Sequence, residues 1–77
     1  MEAIYMGDKN IHAGVGDVVM APGNIRGIVI AVNGTFVTFL AIGTTTANGD
    51  TFVLTPRYIH DFPARECHYL EKQLLNL

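Results

Sequence analysis

Tryptophan and serine are missing from this 77-residue chain, cysteine occurs once, and lysine and arginine together number five. Without serine there can be no Ser-His-Asp triad. A single cysteine forms no internal disulfide and suits a reducing, cytoplasmic setting. Five basic side chains against seven acidic ones give a net charge of -2 and a pI near 5.8. That balance disfavours a binder of nucleic acid backbones, which needs a concentrated positive surface. The N-terminus carries Glu2, Asp8 and Lys9 and shows no apolar core of a secretory signal. The length allows one domain, and such a chain buries only about 60% of its unfolded surface, so it has little stability to spare.

Charge is also unevenly distributed. No charged residue occurs in 27–49. A membrane helix would need about 20 uninterrupted apolar residues, and Asn33-Gly34 breaks this stretch. Ile, Val, Thr and Phe dominate it, and these are strand formers. Asn-Gly between two such runs signals a hairpin with a type I′ turn, so 27–32 and 35–42 are read as paired strands. Upstream, 17–21 is a strand and Pro22-Gly23-Asn24 a turn. Residues 3–6 form at most one short strand. Downstream, 51–54 is a fourth strand. Pro56 lacks a donor, so 55–59 is expected as a 3-10 turn, with 59–62 as a short last strand.

From Pro63 the pattern changes. Cys67, Leu70, Leu74 and Leu77 are spaced three, four and three apart, which predicts an amphipathic helix with Pro63 at its start and Asp61 near its cap. The expected architecture is therefore mainly β: a small five-stranded barrel over 1–62, with a C-terminal α-helix over 63–77 packed on the barrel or at an oligomer interface.

Gly16-Asp17-Val18-Val19, then Gly23, then Arg26-Gly27 followed by 28–32, resembles the KOW-type opening of SH3-like barrels. Thr55-Pro56-Arg57-Tyr58-Ile59 resembles the Pro-x-x-Tyr-Val stretch that forms the 3-10 turn before the last strand of SH3 domains. This resemblance covers about residues 14–62 and implies an SH3-like fold. It also implies that the first long loop and the 3-10 turn flank a ligand surface, which makes Arg26, Arg57, Tyr58 and His60 the candidate partner-binding residues; Arg–Tyr surfaces are common recognition hot spots. The Trp and the Ala-Leu-Tyr-Asp-Tyr segment of the Pro-rich peptide groove are missing. The chain is also distantly similar to plasmid-borne type II dihydrofolate reductases, but their Val-Gln-Ile-Tyr pore motif is replaced by Phe52-Val53-Leu54-Thr55.

Both faces of the central hairpin read as apolar, whereas a half-buried strand alternates. A small barrel has one interior, so the second face needs a cover, from the C-terminal helix or from another copy of the chain. Val29, Val37, Phe39, Leu70 and Leu74 are the candidate oligomer-interface residues. Leaving three large apolar side chains in water would forfeit several kcal/mol.

Catalytic and metal signals are weak. His12, His60, Cys67 and His68 show no zinc-type spacing, and Cys67 belongs to an apolar stripe. His60-Asp61 are strand neighbours that point apart. An aromatic cage would require Tyr5, Tyr58 and Phe62 to converge. No metal or cofactor is expected. The function expected from the sequence is a non-enzymatic protein-interaction or assembly module, homo-oligomeric and engaging a protein partner, with no membrane association. The alternatives are a small oligomeric enzyme with a composite site on a symmetry axis, or a weak KOW-type nucleic-acid binder.

Overall fold

The computed structural model describes residues 2–7, 10–45 and 48–73, apart from the side chains of Thr51, Val53 and Leu54. Five strands, β1 (Asp17–Ala21), β2 (Ile25–Asn33), β3 (Phe36–Thr45), β4 (Thr51–Pro63) and β5 (His68–Lys72), form one antiparallel sheet in the order β4-β3-β2-β1-β5. A 3-10 turn, Ala64–Glu66, joins β4 to β5 and carries the chain to the far side of β1. The sheet is open, with β4 and β5 as its edges. Ahead of β1, the N-terminal segment folds back on itself through an Ile4–His12 bridge and an Ala13 N–H to Ala3 C=O bond of 2.7 Å.

The turns follow the glycines. Gly23 and Asn24 both take positive φ between β1 and β2. At the β2–β3 connection Asn33 still pairs with Phe36, so the two-residue loop is Gly34-Thr35. Only Gly34, at φ 62°, is left-handed there. A positive φ confined to the first loop residue is the type II′ pattern, which corrects the expected type I′ turn centred on Asn33-Gly34.

Several bulges bend the sheet around its core. Register shifts occur between Arg26 and Gly27, Val29 and Ala31, Val37 and Phe39, and Ala41 and Gly43. Each extra residue increases local twist and curls the strand. The concave side packs Val19, Ala21, Val29, Val37, Phe39 and Ala41 against Ala3 and Tyr5 of the N-terminal segment and against Ala64 and Cys67. Phe39 meets Phe62 edge-to-face at 5.7 Å. Gly27 is needed for space, because a Cβ there would sit 2.3 Å from the Phe39 ring.

Two expectations are corrected here. Residues 51–63 are one long strand, not a strand, a 3-10 turn and a second strand. Pro56 is tolerated because β4 is an edge and because Ala41 pairs with Arg57 but Gly43 with Val53, which places Pro56 in an irregular stretch where no ladder donor is missed. The helix expected over 63–77 is likewise replaced, among the described residues, by the 3-10 turn and β5. The 3-4-3 spacing was compatible with a helix, but β1 offers an unpaired edge that residues 68–72 satisfy, and Tyr69 packs beside Tyr5 at 5.7 Å. The 3-10 turn so lies directly before the last strand, later in the chain than expected. No side chain caps it, so Asp61 does not play the expected role. Leu74 and Leu77 lie outside the described residues.

Candidate interaction face and end groove

Residues directly across a ladder share a face. Tyr58 pairs with Leu40, Leu40 with Ile28, and Ile28 with Val18. This row runs across four strands on the face opposite Val19, Val29 and Phe39. Val18 is fully buried in it, Ile28, Leu40 and Ile42 are half-buried, and Ile30, Tyr58 and Leu70 are 41%, 58% and 40% exposed. The bulges opposite Thr38 and opposite Val18/Val19 put Ile30 and Leu70 outside the regular ladder.

Four of the candidate interface residues are described. Leu70 is on the surface, in β5. Val29, Val37 and Phe39 are not: each is at most 1% exposed, inside the core of a single chain. The two hairpin faces are therefore assigned the other way round, and Ile28, Ile30, Leu40 and Ile42 form the outer set. Periodicity separated the two sets but held no information on which one met the N-terminal segment.

The candidate partner-binding residues divide. Tyr58 and His60 lie two apart on β4 with ring centres 6.2 Å apart, and both are exposed. Arg26 is on the same face, where its guanidinium donates to Glu71 Oε1 at 3.1 Å. Arg57 pairs with core-facing Ala41, so it belongs to the opposite face at the sheet edge. Tyr58 and His60 are thus in a strand, not in the expected 3-10 turn. The three rings of a cage do not converge, since Tyr5 is buried, Phe62 packs on Phe39 and Tyr58 faces outward.

No group of three or more His, Cys, Asp or Glu side chains is placed to hold a metal among the described residues. His12 instead pairs with Glu2 at 2.8 Å. Cys67 is fully buried, and burial, with the charge of Glu66 adding, pushes its thiol up to about 11. Such a thiol is a poor nucleophile at neutral pH. Among the described residues, no helix is long and apolar enough to cross a membrane, and the charge-free stretch 27–49 contributes to β2 and β3.

Sequence reasoning missed a buried polar centre. Asp17 accepts hydrogen bonds from Tyr5 Oη at 2.6 Å and from the Gly14 amide at 2.7 Å, and its other oxygen meets Lys72 Nζ at 2.6 Å. Burial raises the carboxyl, but Lys72, Tyr5 and Gly14 together outweigh it and hold it below its ordinary value. Burial first, then the Asp17 carboxylate, pushes the Tyr5 phenol well above its ordinary value. This centre ties the N-terminal segment, β1 and β5 together. Positions 5, 17 and 72 are too far apart in sequence to have signalled it.

Two adjoining cavities open at the hairpin-turn end of the sheet. One, of about 180 Å³, is lined by Glu2, Ile4, Thr35, Phe36, Pro63 and Arg65. The other, about 490 Å³ and shallower, shares Glu2 and extends past His12 to Val32 and Gly34. Comparison with known proteins finds no family model, no curated protein and no solved structure that matches this chain.

Proposed function

We propose that this chain is a non-enzymatic, SH3-like assembly module that self-associates through the outer face of its sheet. The observation that carries the reading is the in-register apolar row Tyr58, Leu40 and Ile28, flanked by exposed Ile30 and Leu70. Monomeric proteins seldom leave a contiguous apolar face this broad in water. Burying each such side chain gains about 1.5–3 kcal/mol. The 3-10 turn immediately before the last strand supports the SH3-like part of the reading.

A second copy is the favoured occupant for two reasons. The face presents Arg26 and Glu71 side by side, so a two-fold axis passing between them sets each opposite its counter-charge in the partner, which makes the patch self-complementary. Association through the free edge of β4 is blunted by the Pro56 irregularity and by Asp61 at φ 49°, which distort the strand on either side of Tyr58 without ending it.

The test is the solution mass by light scattering at two concentrations. The native chain should show a multiple of 8.4 kDa. The Ile30→Glu/Tyr58→Glu double variant should show a single chain with unchanged far-UV circular dichroism. Phe39→Glu should unfold the chain rather than dissociate it. A native chain that is monomeric at both concentrations overturns the proposal.

A further inference from the structure

The smaller end cavity combines an apolar wall with two charged side chains, Glu2 and Arg65, that make no ion pair with each other. Ile4, Phe36 and Pro63 form the wall, and Thr35 and Arg65 line it with Glu2. Phe36 is 44% exposed although it is a large aromatic. Its position is fixed by pairing with Asn33 and Pro63, and the Ala64 N–H to Thr35 C=O bond of 3.1 Å joins the two lips. Of the four described Lys and Arg side chains, Lys72 is paired with Asp17 and Arg26 with Glu71, whereas Arg57 and Arg65 have no ionic partner among the described residues, and only Arg65 lines a cavity. Glu2, on the same cavity, is engaged by His12 at 2.8 Å.

We propose that this cavity binds a small organic carboxylate with a flat apolar body. Arg65 would take the carboxylate through its planar two-donor fork, and the apolar body would lie against Phe36 and Pro63. The volume of about 180 Å³ limits the body to about one ring, since a cavity of roughly 150 Å³ takes one benzene. The site does not depend on self-association, and its residues are not those altered in the double variant above.

The probe is phenylacetate, titrated into ¹⁵N-labelled protein at low salt. Amide shifts should concentrate at Ile4, Thr35, Phe36, Ala64 and Arg65 and saturate with a Kd on the order of 1 mM, as ligands of this size allow. Acetate, which lacks the ring, and phenethylamine, which reverses the charge, should bind at least about tenfold more weakly. Arg65→Gln should lose about tenfold, Arg57→Gln should change nothing, and Glu2→Gln should bind the anion as well or slightly better. Repeating the titration on the Ile30→Glu/Tyr58→Glu variant separates this site from the self-association reading. Equal binding of phenethylamine, equal binding by Arg65→Gln, or no saturable shifts at these amides overturns the proposal. So does weaker binding by Glu2→Gln, which would mark a zwitterion site instead.

Discussion

Replacing Asp17 by alanine should bring the domain close to its unfolding threshold. The carboxylate is 2% exposed and serves three partners. Its removal orphans the buried Tyr5 hydroxyl and the half-buried Gly14 amide. A hydrogen bond to a charged group contributes about 1.5–3 kcal/mol, and a buried unsatisfied donor costs about as much. Two such losses amount to about 3–6 kcal/mol. Lys72 is half exposed and regains water, so its loss adds under about 1 kcal/mol. A 77-residue domain has about 4–12 kcal/mol in total.

Urea denaturation followed by circular dichroism measures the loss. Asp17→Ala should fall by about 3–6 kcal/mol, Tyr5→Phe by about 1.5–3 and Lys72→Ala by under about 1. A Tyr5→Phe/Asp17→Asn cycle should show clear coupling, because the two groups share one bond. Acid titration supplies a second readout. The folded carboxyl lies below its unfolded value of about 3.9, so its stabilisation is complete above that value and is lost as pH falls through the folded one. Asp17→Asn should flatten this acid limb. A loss under about 1 kcal/mol for Asp17→Ala would refute the reasoning, since it would mean the orphaned donors find other partners.

Gly27→Ala should destabilise by about 1–3 kcal/mol in the same assay, because its methyl group would displace the Phe39 ring from the centre of the core; a neutral substitution would show that the ring moves freely. At high pH the Tyr5 phenol and the Cys67 thiol are both held above their unfolded values. Their contributions are therefore complete below those values and fade as pH rises, the Cys67 part between its ordinary 9.0 and about 11. The melting temperature should drop across that window, and Cys67→Ala should retain less stability at neutral pH but a shallower alkaline fall.

Much of the sheet was legible because its signals are local. Alternating β-branched runs and glycine turns located β1, β2 and β3 to within a few residues, and the expected break at Pro22-Gly23-Asn24 is a turn with two positive φ angles. Leu70 and Tyr58 were singled out on a helical spacing and on a 3-10 turn, and both are exposed although they lie in strands instead. The missing parts depend on remote partners. Pro56 argued against a strand, yet an edge with an irregular register accommodates it. The spacing from Cys67 to Leu77 fits a helix, yet β1 needed a partner on its free side and residues 68–72 provide it.

By itself the sequence determined a mainly β chain with a hairpin at its charge-free centre and apolar residues on both faces of that hairpin. These follow from backbone preference and from side-chain periodicity, which act over a few residues. The tertiary structure alone decided which face of the hairpin is the core. The N-terminal segment and the 3-10 turn cover the face bearing Val29, Val37 and Phe39, and that leaves Ile28, Ile30 and Leu40 outside. It also decided that Tyr5, Asp17 and Lys72 meet, and that Arg65 opens onto the apolar cavity beside Phe36. The physical reason is the same in each case: contacts between residues remote in sequence are fixed by which strands pair and how the sheet bends.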